Sequence, residues 1–377
     1  MTTIYLDHNA TTPIIPPVLD AMLPFLRDEF GNPSANYALG QRARNAVETA
    51  RAHVAALINA NPDEIIFTSG GTEASNMAIC GTGVEGAARN IVTSVIEHPA
   101  TDEPCKALAA QGHDVRRIKA QPDGRIDLDH AQNLICAGVD LVTLIHAQNE
   151  IGTLQPVAEI AAIARQHGAL LHVDAAQSVG KIDINVGALG IDLLSIAGHK
   201  LYAPKGVGAL FVRRGVPLHH VLRGAGQEGG RRPGTENVAS IVGLGEACRQ
   251  AAIRLQEGGA QKIAATTRVL LDHLQQHVPG LQLTGHVTHR LPNTLNVLFP
   301  GVSGRKLLEA CPEVYASTGS ACHADREDAS AILRAIGLPE QEALGAVRLS
   351  LGFTTTPEDA ERAAAALAQA WQRIKPA

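Results

Sequence analysis

Short apolar runs alternate with amphipathic helical stretches through the first two thirds of this chain, and that alternation restricts the fold more than any other feature. The stretch "VAEIAAIARQHGALLHVDAAQ", residues 157–177, shows the unit. Ile160, Ile163 and Ala164 fall on one helical face, and Gly168 fits the position just past the helix end. "LLHV" then reads as a buried strand that stops at Asp174. "EIIFTS", "NIVTSV", "LVTLIHA", "DLLSIA" and "GALFVRR" read as strands of the same kind. Strand and helix in turn imply an α/β domain on a largely parallel sheet. Ligands of such sheets sit beyond the C-terminal strand ends, so the residues that succeed each apolar run carry the functional interest.

The alternation fades after about residue 255. The remaining third has longer helical patterns, one strand-like "PNTLNVLF", and a final helix in which Thr356 suits the N-cap, Pro357 the first turn, and Glu358 and Asp359 the helix dipole. A large domain over 15–255 is expected, with a smaller α+β domain made of 1–14 and 256–377. With 377 residues, 45% of them hydrophobic, the chain can fill both cores. No internal repeat is visible. A net charge of -5 with mixed signs gives no reason to expect nucleic acid or a membrane as partner. No secretory signal or long apolar span is visible, so neither is expected, and the first hundred residues contain no lysine. Cys80, Cys105, Cys136, Cys248, Cys311 and Cys322 form neither a CxxC pair nor a disulfide-like framework, which suits a reducing, cytoplasmic setting.

Two GxGxxG matches, "GTGVEG" at 81–86 and "GAGQEG" at 224–229, lack the strand–turn–helix context of a dinucleotide site. The first comes after a helix-like segment, and the second runs into Pro233. His286 and His289 in "GHVTH" read as loop histidines without a metal-ligand cluster. No metal is expected.

"SIAGHKLYAPKGVGALFV" is more telling. Lys200, one of only eight lysines, lies where an apolar strand breaks into a turn. A partly buried lysine there can lose its charge and form a Schiff base. Alone it would read as an ordinary turn lysine, and Lys205 in "APKG" competes with it. Other strand ends shift the balance. "IIFTSGGTEASNMAI" sets Gly70, Gly71 and Thr72 between strand and helix, offering backbone N–H groups and a hydroxyl to a phosphate. "HVDAAQ" puts Asp174 directly after a strand and Gln177 nearly a turn further on. A carboxylate buried there needs a cationic partner, such as a protonated pyridine nitrogen. Phosphate cradle, lysine and carboxylate together specify pyridoxal 5'-phosphate.

In order along nearly the whole chain, "YLDHNATTP", "GNPSANYALG", "FTSGGTEASN", "EHPA", "HAQNEIGTLQP", "HVDAAQ", "GHKLYAPKG", "RRPGTENV", "STGSAC" and "RLSLG" resemble the motifs of the cysteine desulfurases, which have the pyridoxal-phosphate class V aminotransferase fold. The resemblance implies an aspartate-aminotransferase-like transferase fold and a homodimer. It implies that Lys200 holds the cofactor as a Schiff base and moves the substrate proton, and that His98 stacks on the ring and handles protons in catalysis. By the same likeness Asp174 pairs with the pyridine nitrogen and Gln177 with the ring oxygen. Gly71, Thr72 and His199 hold the phosphate, joined by Thr235 from a second subunit. Asn149 and Arg348 bind the substrate carboxylate, a group that an arginine fork suits. Cys322, in "EVYASTGSACHADREDAS", takes sulfur from L-cysteine as a persulfide, releases L-alanine and passes the sulfur to an acceptor protein. His323 and Arg326 are candidates to favour its thiolate.

Three positions depart from the common desulfurase pattern. Ala197 stands where a phosphate-binding serine is usual, Tyr37 where a histidine comes after "GNPS", and Phe353 where an arginine is frequent. The first costs a hydrogen bond, on the order of 1 kcal/mol. "GNPSANYALG", "RRPGTEN" and "ACHAD" also resemble selenocysteine lyases, so L-selenocysteine is the alternative substrate. A pyridoxal-phosphate aminotransferase with an incidental cysteine, or a non-catalytic nucleotide-binding module, would be readings of another class. Iron–sulfur cluster assembly, thiolated nucleotides and selenium recycling are all compatible downstream uses.

Overall fold

The structure is a computed structural model and describes residues 3–83, 86–319 and 329–376. Cys322, His323 and Arg326 lie outside the described residues. Twelve strands occur among the described residues. β1 is Ile4–Tyr5, β2 Ile65–Thr68, β3 Asn90–Ser94, β4 Asp114–Ile118, β5 Leu141–Ile145 and β6 Leu170–Asp174. β7 is Leu193–Ala197, β8 Gly208–Val212, β9 Gln282–Leu283, β10 Thr294–Leu298, β11 Val314–Tyr315 and β12 Ala346–Ser350.

Seven of them make one sheet in the order β2-β8-β7-β6-β5-β3-β4. β8 runs antiparallel to both neighbours and every other pairing in the sheet is parallel. The strands expected from the apolar runs are all here. β4 and β12 have no counterpart among those runs: β4 has the sequence "DVRRI", whose charges mark an edge strand. Because β2 and β7 flank the antiparallel β8, the C-terminal ends of β2, β3, β5, β6 and β7 all open onto the same side of the sheet.

The connecting helices behave as their patterns predict. In the helix Val157–Gln166, Ile160 and Ala164 are buried, and Gly168 beyond it has φ +74°, the left-handed conformation that stops a helix cheaply only at glycine. Val173, Leu144, Val142 and Ile196 lie in the large core between sheet and helices.

A second core is built from the antiparallel sheet β12-β10-β9, the helices Gly259–His277 and Pro357–Ile374, and the N-terminal β1, which pairs in parallel with β11. Leu6, Leu274, Val297, Phe299, Leu367 and Trp371 meet there. Ile332, Leu333 and Ile336, C-terminal to the cysteine segment, pack instead on the large core. Thr356 caps the last helix reciprocally with Asp359.

Candidate active site

A cleft with about 1120 Å³ of empty space lies beyond the strand ends, lined by Asn9, Ala10, Gly71, Thr72, His98, Asn149, Asp174, Gln177, Ala197, His199, Lys200, Ser317, Gly319 and Arg348. Of the cofactor and substrate residues expected from the sequence, all are here except Thr235, which is exposed and lies away from the cleft walls. Five strands deliver most of them. Gly71 and Thr72 come after β2, His98 after β3 and Asn149 after β5, Asp174 ends β6, and His199 and Lys200 form the turn after β7.

Lys200 donates from Nζ to the carbonyls of Asn9 (2.5 Å) and Ala10 (2.8 Å). Burial, reinforced by the charge of Arg348, lowers its pKa to about 8, against the opposing pull of Asp7 and Asp174. Asp174 is buried, and its Oδ1 accepts from the Ala176 N–H at 3.0 Å. Burial raises its pKa while His98 and Lys200 hold it down. His98 caps the helix Pro99–Ala110, its Nδ1 accepting from the Ala100 N–H at 3.1 Å. That bond assigns the neutral ring's proton to Nε2, and burial lowers the ring's pKa. His199 is also kept neutral by burial, at about 4, with Nδ1 3.1 Å from the Thr11 hydroxyl.

Arg348, buried on β12, reaches the cleft from the second core. Its Nη2 lies 2.8 Å from Asp7 and its Nη1 donates to the Asn149 carbonyl at 3.2 Å, while its buried Nε has no partner among the described residues.

These groups fit pyridoxal phosphate. The N-cap of the helix Gly71–Gly81 is Gly70, which supplies no side-chain acceptor, so the first N–H groups face the cleft uncapped. At Gly71 a Cβ would sit 3.2 Å from that of Ala197, so the two small residues pack closely at the cradle floor. Ala197 lines the cleft without a hydroxyl, consistent with the lost bond expected there. Asp174 is a buried carboxylate set against a lysine of lowered pKa, the charge pattern that a pyridinium nitrogen would complete.

Two residues that bear on the site carry no obvious signal in the sequence. Asn9 accepts from Lys200 and from Gln177 Nε2 (2.9 Å) at its carbonyl, and from Lys181 Nζ (2.8 Å) at its side chain. Lys181 also donates to Gln177 Oε1 at 2.9 Å. Gln177 thus keeps one amide N–H for a ring oxygen. Only the motif "YLDHNATTP" could have pointed to Asn9, and Lys181 sits in an ordinary turn sequence. The two GxGxxG decoys resolve as well. "GTGVEG" starts at the end of a helix, and "GAGQEG" ends in a turn with left-handed backbone at Glu228 and Gly229, where Arg51 binds Glu228. His286 and His289 stack edge to face, 4.7 Å between ring centres.

The aminotransferase class-V family model matches residues 4–363. The chain belongs to that family. Its members use pyridoxal phosphate. A cysteine desulfurase of Nostoc sp. is 42% identical over all of this chain and 94% of its own length. Among solved structures, a NifS-like protein superposes with a TM-score of 0.92 at 33% identity, covering 99% of this chain and all of its own. Another, described as SspA in complex with cysteine, has a TM-score of 0.82 at 35% identity, covering 93% of this chain and 99% of its own.

Proposed function

We propose that this chain is a pyridoxal-phosphate-dependent cysteine desulfurase that converts L-cysteine to L-alanine and takes up the sulfur on Cys322. The observation that carries the reading is Lys200: a half-buried amine with a pKa of about 8, in one cleft with Asp174, His98 and the uncapped start of the helix Gly71–Gly81. The names of the relatives support the substrate and do not favour the selenocysteine alternative.

Lys200 would hold the cofactor, with Asp174 at its ring nitrogen, Gln177 at its ring oxygen, His98 against its face, and Thr72, His199 and the Gly71 backbone at its phosphate. When bound, it supplies an electron sink at the substrate's α-carbon. Arg348 and Asn149 orient the substrate carboxylate. Lys200, once neutral, accepts the α-proton at Nζ. The Cys322 thiolate attacks the substrate sulfur. An S–S bond forms as the Cβ–S bond breaks, the electron pair stays on carbon, and a proton there completes alanine. A sulfur-acceptor protein then relieves the persulfide.

A second copy of the chain completes the site in this reading. Thr235 is exposed and does not line its own cleft, and Leu19, Leu23 and Leu26 line an exposed apolar face of the helix Pro16–Arg27. The absence of a disulfide-like cysteine framework supports a cytoplasmic setting, and no helix among the described residues is long and apolar enough to cross a membrane.

The test is alanine and chalcogenide release from L-cysteine and L-selenocysteine, side by side, for the parent and Cys322→Ala. Turnover of L-cysteine that Cys322→Ala loses is expected. Turnover of L-selenocysteine alone would refute the assignment.

A further inference from the structure

Glu150 is a buried carboxyl group for which the desulfuration reaction has no use. It comes after Asn149 in the loop beyond β5, and its N–H is fixed by the Gln148 side chain at 2.6 Å. Its Oε2 accepts from the Ser330 hydroxyl at 2.6 Å. Ser330 caps the helix Ala331–Ala335, its oxygen accepting from the N–H groups of Ile332 (3.1 Å) and Leu333 (3.3 Å). With that oxygen committed, the hydroxyl proton needs an acceptor, and Glu150 is the one present.

The same carboxyl closes on the other side against Gly319. There φ is +85°, and a Cβ would stand 2.7 Å from Glu150 Oε2. Gly319 is tied in turn through its N–H to Ser317 Oγ at 3.1 Å, and Ser317 is laced to β12 at Arg348, whose N–H donates to its carbonyl at 2.6 Å. Gly319 and Ser330 lie on either side of the stretch that contains Cys322. A buried carboxylate is costly to keep if only volume has to be filled.

We propose that Glu150 is a positioning residue for sulfur transfer: its carboxyl group bonds Ser330 at one end of the cysteine-bearing segment and packs against Gly319 at the other, holding both beside Asn149 and Arg348. The proposal rests on Cys322 being the sulfur acceptor. Burial sets the carboxyl's pKa at about 7, with the Ser330 bond and the charge of Arg348 on β12 acting downward. The joint is therefore charged above neutrality and neutral below it.

The experiment uses the holoenzyme and L-cysteine. Single-turnover persulfide formation on Cys322 is followed by peptide mass spectrometry, and exchange of the substrate α-proton with deuterium is followed separately. In Glu150→Ala, persulfide formation is expected to slow about tenfold while α-exchange stays within about twofold. Glu150→Gln, which keeps an acceptor for Ser330, is expected to recover to within about threefold of the parent. Ser330→Ala removes the same bond from the other side and should slow the transfer likewise. Without substrate, alkylation of Cys322 by iodoacetamide should change rate in Glu150→Ala and not in Glu150→Gln. A Glu150→Ala protein that melts lower yet forms persulfide at the parental rate shows a merely structural group and overturns the proposal. Should Cys322→Ala keep full alanine formation, the desulfurase reading itself falls; should it be inactive while Glu150→Ala is unaffected, only the positioning role does.

Discussion

Lys200 is the residue at which folding does most to the chemistry. An exposed lysine stays charged at neutral pH, whereas burial brings this one to about 8. In the cofactor-free protein, competitive labelling of Lys200 across pH is expected to show half-reaction near pH 8. Asp174 stabilises the charged amine, so Asp174→Asn should move that midpoint down, and Arg348→Met should move it up; an unmoved midpoint in both would mean that burial alone sets it. Glu97, next to His98, presents the opposite case. It is buried, with Oε1 on the Ser94 hydroxyl, and burial pushes its pKa up from 4.5 to about 8. The folded state thus holds this proton more tightly than the unfolded one, and stability falls as pH climbs from about 4.5 to about 8. Glu97→Gln should flatten that decline, raising stability at pH 8 by on the order of a few kcal/mol and the melting temperature with it. Melting curves at pH 5 and pH 8 for both proteins check it.

At the scale of elements, the pair Arg51–Glu228 joins three separate pieces of chain. Arg51 sits on the helix Ala38–Leu57, Glu228 in the loop that leads to Thr235, and Glu228 also accepts from the Phe67 N–H of β2 at 2.8 Å. Arg51 Nη1 and Glu228 Oε2 are 2.7 Å apart, and the side chains are 11% and 3% exposed. Removing Glu228 leaves the strand-edge Phe67 N–H without its acceptor and Arg51 with only the exposed Glu48 as ionic partner among the described residues. Glu228→Ala is expected to cost about 3 kcal/mol in urea unfolding, well beyond an exposed ion pair. The cap of the last helix is a smaller device, for which Thr356→Ala should cost about 1 kcal/mol in the same assay.

At the scale of the whole molecule, the helix Pro16–Arg27 buries Val18 and Met22 and turns Leu19, Leu23 and Leu26 to solvent, with Phe30 75% exposed just beyond. If a second copy covers this face, Leu26→Glu should shift the sedimentation coefficient from dimer to monomer without unfolding the chain. Thr235→Val should leave the dimer intact and weaken cofactor retention, read as loss of bound pyridoxal phosphate on dialysis. A Leu26→Glu protein that remains dimeric would place the interface elsewhere.

The chain's own pattern determined a good deal. Period and punctuation are local, so the apolar runs located β2, β3, β5, β6, β7 and β8, and Gly168 and Thr356 marked helix ends that the structure keeps. The strand-end rule then pointed to Thr72, Asp174 and Lys200, which the fold gathers around one cleft. Sheet order was not legible: β8 inserts antiparallel between β2 and β7, a choice made by side chains packing across the sheet rather than by any one segment. The charged β4 and the short β1, β9 and β11 escaped notice because their patterns are too weak to stand out without their pairing partners. Tertiary structure alone decided the contacts that tune the site. Asn9 with Lys200, Arg348 with Asp7, and Glu150 with Ser330 join residues 191, 341 and 180 positions apart. A pKa depends on burial and on charges within a few ångströms, and neither quantity exists until distant segments close on one another.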